Sequence, residues 1–270
     1  MTHPVATTEP DHMDNPSLID SHCHLDFPDF DNDREKILQR CNTLNIIRLI
    51  LPGISRPQWQ QALNCSNRYS TLSAAIGLHP LFLDKHNKED LSALDSLLAT
   101  TPEIVAVGEI GLDYYPADID RDRQQALFSE QLRIAAQHQR PLLLHVRKAH
   151  QDIIRLLRDN ENHQGIVHAF SGSLEQALQY IEEGFLIGVG GVATRLNAHK
   201  LNRTIKEIPL ESIALETDAP DLPPIWAKGE RNSPEHLPGI AQAVADLRGE
   251  SLKVVAEQTT KNVDRIFRLK

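Results

Sequence analysis

Cysteine is scarce. The 270 residues contain three, Cys23, Cys41 and Cys65, an odd number without close spacing. That argues against a disulfide framework or a CxxC metal knuckle and fits a reducing, cytoplasmic setting. Basic residues are outnumbered: 28 Lys and Arg face 37 Asp and Glu, a formal charge of −9. A generally basic surface for nucleic acid is therefore excluded, and any nucleic-acid substrate needs a locally positive site. No apolar run is long enough to span a bilayer, so no membrane association is expected. Residues 1–17 lack the apolar stretch of a signal peptide and read as a flexible tail, with His3 and His12 solvated. No internal repeat or low-complexity linker divides residues 18–270, which read as one domain.

What is present is alternation. Short runs dense in Ile, Leu and Val predict strands over 18–24, 46–51, 72–78, 104–109, 142–147, 165–170, 185–190 and 212–218, as expected of parallel strands covered on both faces. Helical patterns fill the gaps. Apolar positions recur at helical spacing from 31 to 45, around Leu91–Leu98, and over 124–139 and 149–160. Pro57 opens a second helix in its first turn. Ser173 and Gln176 form a capping-box start, with Ser171 a further capping candidate. A weaker helix covers 198–207, and two more close the chain near 238–247 and 252–267. Eight strand–helix units in this length predict a (β/α)8 TIM barrel, with a doubly wound open sheet as the alternative. The Pro-rich connection 218–234 then lies over the mouth of the barrel.

The 13 histidines matter through their phase. His22 and His24 are two residues apart and share a face, with Cys23 on the other. The later strands end in His79, Glu109, His145 (then Arg147), His168 and Asp218. Each run is apolar until its C-terminal end, where catalytic residues of such barrels gather. Taken singly, each polar residue reads more readily as a hydrogen-bonded structural side chain than as a ligand. Four imidazoles and two carboxylates at matching ends would crowd polar groups without partners, which is costly. A shared metal site resolves that cost. The expected ligands are His22, His24, Glu109, His145, His168 and Asp218. Six suit two divalent ions, with Glu109 as the bridge because a carboxylate has two oxygens. Mixed nitrogen and oxygen ligation favours Zn, Mn, Co or Ni, while Mg takes more oxygen. Two such ions against two carboxylates make a local anion trap inside an acidic protein.

His22-Cys23-His24-Leu25-Asp26, Gly77-Leu78-His79-Pro80, Gly108-Glu109-Ile110-Gly111-Leu112-Asp113, Pro141 to His145, His168-Ala169-Phe170-Ser171-Gly172, Leu215 to Pro220 and Arg231-Asn232-Ser233-Pro234 occur in order. Together they resemble the motifs of TatD-type metal-dependent hydrolases, most closely the YjjV-like subgroup. The resemblance covers residue 18 to the C-terminus. It implies a TIM barrel of the metal-dependent amidohydrolase type, two divalent cations (Zn, Mn or Mg) and hydrolysis. It further implies deoxyribonuclease activity, often 3′-to-5′ on single strands. By position, His22, His24, Glu109 and Asp218 would hold one ion, and Glu109, His145 and His168 the second. His79 and Arg231 would meet the substrate phosphate. Arg195 departs from the pattern, standing where many relatives carry a base-stacking aromatic.

Asp218 is expected to be ligand and proton acceptor, and Arg231 to neutralise charge on the phosphoryl group. Arg147 shares the phase of His145; it either helps at the mouth or forms a salt bridge to Asp26 or Asp113. Asp20 and Glu216 share the phases of His22 and Asp218, so at least one should orient a ligand imidazole. His86, His138, His150, His163, His199 and His236 lie off phase and read as mostly surface. Two other functions stay open: hydrolysis of a small amide, lactone or phosphoester on the same metals, and a nucleic-acid-binding protein without turnover.

Overall fold

A computed structural model describes residues 16–160 and 163–269. Residues 1–15, which hold most of the expected tail, lie outside the described residues. Ser17, counted with that tail, is tied down: its carbonyl accepts from Thr260 Oγ1 at 2.8 Å and its hydroxyl from Asn45 at 3.2 Å.

Eight parallel strands pair in chain order: β1 (Leu18–Asp20), β2 (Ile46–Pro52), β3 (Leu72–Ile76), β4 (Ala106–Asp113), β5 (Leu142–Arg147), β6 (Gly165–Val167), β7 (Phe185–Val189) and β8 (Ile213–Leu215). The Ser21 N–H donates to the Leu215 carbonyl at 3.0 Å and the Asp218 N–H to the His22 carbonyl at 2.9 Å, which joins the last strand to the first. The result is the expected TIM barrel. Between the strands lie α1 (Arg34–Thr43), α2 (Arg56–Arg68), α3 (Lys88–Thr100), α4 (Arg121–Gln137), α5 (His150–Asp159), α6 (Leu174–Glu182) and α7 (His199–Glu207); α8 (Leu237–Arg248) and α9 (Leu252–Phe267) follow the last strand. Pro57 lies in the first turn of α2, and Ser173 with Gln176 makes both bonds of the capping box on α6. Ser171 does not cap; it lines the cavity at the mouth. Among the described residues no helix is long and apolar enough to cross a membrane.

Alternation along each strand builds two cores. Outward residues such as Leu49, Ile76, Val107, Leu144 and Ile187 pack against the helices. Inside the barrel, Ile19, Ile50, Ala75, Ala106, Leu143, Ile166, Leu186 and Ala214 form one apolar layer, one residue from each strand. Val263, Ile266 and Phe267 of α9 close this layer from below. Two residues further along several strands the inward positions become polar: His145, His168 and Glu216. The fold thus sets a polar layer on an apolar floor, and that boundary is where the candidate site begins.

Two features of the strands differ from the sequence expectation. Several ladders stop earlier, at Asp20, Ile76, Val167 and Leu215, so His22, His24, His79, His168 and Asp218 stand just beyond strand ends. Conversely, β4 runs on past Glu109 to Asp113. Its register against β5 jumps between Gly108 and Ile110, so Glu109 is the extra residue of a bulge. A bulge re-aims a side chain, and here it turns Glu109 into the centre of the mouth while Ile110 returns to the outer core.

Candidate metal centre

The polar side chains of the mouth converge on Glu109, which is 3% exposed. Its two oxygens face two different sets. Oε2 lies 3.3 Å from His22 Nε2 and 3.8 Å from His24 Nε2. Those two imidazole nitrogens are 3.4 Å apart, and Asp218 Oδ1 stands 3.5 and 3.9 Å from them. Oε1 lies 2.9 Å from His145 Nδ1, 3.4 Å from His168 Nε2 and 3.2 Å from His79 Nε2. Donors held ~2.0–2.2 Å from a tetrahedral ion stand about 3.4 Å from each other, so these separations fit ligands gathered around two positions. Three groups could each hold an ion: His22, His24 and Asp218; His22, Glu109 and His168; and His79, Glu109 and His145. All six residues expected as ligands are therefore brought together, with His79 beside them.

Its hydrogen bonds set His79 apart from the other imidazoles. The Leu81 N–H donates to its Nδ1 at 3.2 Å, so in the neutral ring the proton sits on Nε2 and points at Glu109. A ring in that tautomer is a donor, not a ligand. His145 is arranged the other way. Asp113 Oδ2 takes the Nε2 proton at 3.0 Å, leaving the Nδ1 lone pair facing the centre. Asp113 is fully buried, and its Oδ1 accepts from the Tyr115 N–H at 2.8 Å. His168 Nδ1 lies 3.4 Å from Glu216 Oε1, which also accepts from the Ala169 N–H at 2.6 Å. Glu216 thus stands within ion-pair reach of a candidate ligand imidazole, without a hydrogen bond to it. Asp20 does not: its phase follows outward Leu18, and its carboxylate bonds Thr217 at the hydroxyl (2.6 Å) and at the amide (3.0 Å), stapling β1 to the segment after β8. The strand ends at Asp20, and alternation cannot be carried past it.

Burial sets the charge state. It pushes the pKa of His22 well below that of an ordinary histidine, with protonated His168 adding to the shift, and brings His24 down to about 4. Both are neutral, as ligation requires. For Glu109 burial works the other way, yet His79, His22, His168 and His145 together hold its carboxyl well below the usual range. Asp218 is pushed up to about 8 by burial, with His168 opposing and Glu109 reinforcing. His168 rises to about 10: burial opposes this, and Asp218, Glu216 and Glu109 outweigh it. Without ions, the His168–Asp218 side of the centre holds protons near neutrality.

The two arginines expected at the substrate lie outside this cluster. Arg231 is exposed and sits 4.4 Å over the Phe30 ring, its guanidinium bonded to the Asp29 carbonyl and to Asp33 at 2.6 and 3.1 Å. Arg147 makes neither expected salt bridge; its guanidinium lies 3.6 Å over the Tyr115 ring at the rim. Among the off-phase histidines, His199 is exposed. His86 and His150 are buried rather than on the surface: His86 Nε2 lies 3.0 Å from the His79 carbonyl, and His150 Nδ1 3.2 Å from the Tyr180 hydroxyl. His138, His163 and His236 are partly buried. Asp113 was missed as an orienting residue. Its signal was its spacing, four residues after Glu109 on the same face.

A cavity of about 440 Å³ opens beside the centre, between Phe170, Val192, Leu201 and Leu222, and reaches His145, His168 and Asp218. Gly188 lines it because a Cβ there would stand 2.7 Å from Glu216 Oε2 and 2.9 Å from His168 Cα.

With this geometry in hand, comparison with known proteins is direct. The family model described as TatD related DNase matches residues 19–268. An Escherichia coli (strain K12) protein described as uncharacterized metal-dependent hydrolase YjjV is 39% identical over 252 residues, covering 93% of this chain and 97% of that one. The Bacillus subtilis (strain 168) protein YabD, described in the same words, is 34% identical over 254 residues, covering 93% and 99%. The crystal structure of the E. coli TatD homologue YjjV superposes with a TM-score of 0.90 at 38% identity, covering 94% of this chain and 98% of that one. An E. coli phosphotriesterase homology protein shares the fold at a TM-score of 0.70 and 15% identity. On the extent of these matches, the chain belongs to the TatD-related DNase family.

Proposed function

We propose that this protein is a metal-dependent phosphodiesterase that hydrolyses nucleic acid, a deoxyribonuclease acting 3′-to-5′ on single strands. The observation that carries the reading is the division of the mouth by Glu109. One oxygen faces His22, His24 and Asp218; the other faces His145 and His168. The first set with Glu109 would hold one divalent cation, and the second set with Glu109 another. Bound there, the pair supplies Lewis-acid charge and a water of lowered pKa.

The chain's own residues supply the rest. Asp218 is the most open of the two carboxylates, 13% exposed at its side chain against 4% for Glu109. Its free oxygen accepts the proton of the attacking water. His79, its ring fixed by the Leu81 N–H, directs its Nε2 proton at Glu109 Oε1, 3.2 Å away, and so holds the bridging carboxylate in place. Arg147 lines the cavity at the mouth, where a planar guanidinium matches two phosphoryl oxygens; Arg231, whose fork is held by Asp33, would have to leave that pair to do the same. The local charge favours an anionic diester over a neutral amide or lactone. The family model's description supports nucleic acid as the substrate class.

The test is a substrate panel on protein stripped of metal and reloaded with Mg²⁺, Mn²⁺ or Zn²⁺. Single-stranded DNA, RNA, a nitrophenyl phosphodiester and a lactone are compared. Turnover of the phosphodiesters and not the lactone is expected. Turnover of the lactone alone would contradict the reading.

A further inference from the structure

Aromatics are few in this chain, seven Phe, four Tyr and two Trp, yet two of them stand at one side of the mouth with cations over their faces. Tyr115, just after β4, is 55% exposed, with the Arg147 guanidinium 3.6 Å and the Lys148 ammonium 4.7 Å from its ring centroid. Phe82, in the turn after β3, carries Lys85 at 5.0 Å. Lys85, Arg147 and Lys148 are exposed, and none has a carboxylate within 4.0 Å among the described residues. By contrast, Arg34 and Arg40 on α1, Arg123 on α4 and Arg231 after β8 are paired, with Asp31, Glu235, Asp84 and Asp33. In a protein of charge −9, three exposed cations beside two aromatic faces make a local concentration of positive charge.

The two aromatic–cation groups form one edge. Buried Gln124 donates to both the Pro80 and the Asp113 carbonyls at 3.1 Å and accepts from the Asp113 N–H at 2.9 Å, which fastens the β3 loop to the end of β4. The edge is also fastened to the metal centre. The Tyr115 N–H bonds Asp113, whose other oxygen holds His145; the Phe82 ring lies 5.6 Å from that of His79.

We propose that this edge, Phe82 with Lys85 and Tyr115 with Arg147 and Lys148, is a track for the single strand next to the scissile phosphate. Bases stack on the aromatic and guanidinium faces, and backbone phosphates pair with the ammonium groups. The inference rests on the phosphodiesterase reading and locates on this chain where several nucleotides of the unpaired strand would lie, because bases stacked within a duplex have no free face to offer. It also supplies the stacking surface that Arg195 does not.

The test measures fluorescence anisotropy of a labelled ten-nucleotide phosphorothioate thymidine strand on the metal-loaded protein. Tyr115→Ala should weaken binding about 5- to 150-fold, the range for one lost base–aromatic stack, and Tyr115→Phe should restore it. Lys148→Gln should lower the slope of log affinity against log salt by about 0.7. Wild-type protein that does not bind the strand, or variants that bind it with unchanged affinity and salt slope, would overturn the track. Hydrolysis of a thymidine dinucleotide by wild-type protein tests the underlying reading separately. Tyr115-dependent binding with no phosphodiester turnover keeps the track and removes the activity; dinucleotide turnover without Tyr115-dependent binding does the reverse.

Discussion

If the proposed two-ion site is right, replacing Asp113 with Asn should weaken the ion held by His145 while leaving the protein's shape intact. Asp113 Oδ1 accepts from the Tyr115 N–H at 2.8 Å, and Oδ2 takes the His145 Nε2 proton at 3.0 Å. Asn keeps the first bond by placing its oxygen there. Its NH2 then faces Nε2 as a donor, so the imidazole must accept at Nε2 and carry its proton on Nδ1. That proton points at Glu109 Oε1, 2.9 Å away, and the lone pair needed for a metal is gone. The opposite amide orientation sets two donors, NH2 and the Tyr115 N–H, against each other. Loss of such an orienting partner typically weakens metal binding about 10- to 100-fold, roughly 1.4–2.7 kcal/mol. The site of His22, His24 and Asp218 shares no bond with Asp113 and should keep its affinity. Competition titration of Zn²⁺ or Mn²⁺ against a chromogenic chelator resolves the two constants. Two ions bound to Asp113→Asn with wild-type affinities would refute the reasoning.

Metal binding should release protons. His168, raised to about 10, and Asp218, raised to about 8, hold protons near neutral pH in the ion-free protein; both must lose them to ligate, so affinity rises with pH between 6 and 8. Calorimetry in buffers of different ionisation heat should show at least one proton leaving, and a pH-independent affinity would count against this charge assignment. Gly188→Ala should destabilise the fold by about 1–3 kcal/mol through overpacking against Glu216 and His168, read as a lower urea midpoint. Asn262→Leu strips the Leu210 and Ile213 carbonyls of their shared donor, at 2.8 Å each; leaving these groups unpaired should cost about 2–4 kcal/mol in the same assay.

The polar cluster at the mouth was legible because barrel physics writes it into strand phase. Apolar inward residues must give way to polar ones at the mouth, and His145, His168 and Glu216 follow that rule. The family motifs pointed to the same residues. Glu109 was legible as a residue but not as a bulge: Val107 and Ile110, three residues apart, share the outer face, and in so short a run that phase shift reads equally as the end of a strand. Asp20 misled because its alternation was counted through a strand end at which the backbone leaves the ladder. His86 and His150 escaped because a buried imidazole off the strand phase looks like a surface one until the neighbouring loops are placed. The same holds for Tyr115 and Arg147: the contact between them joins the segment after β4 to the end of β5, which no local pattern describes.

The central claim is that Glu109 joins two ion sites. Its most direct test is the metal content of the purified protein after loading and desalting, measured by elemental mass spectrometry for wild type and for Glu109→Gln, with circular dichroism confirming the fold. Gln retains one acceptor oxygen where Glu109 has two, so two ions per wild-type chain and one or fewer per variant chain are predicted. Two ions retained by Glu109→Gln, or a wild-type chain that saturates at one, would contradict it.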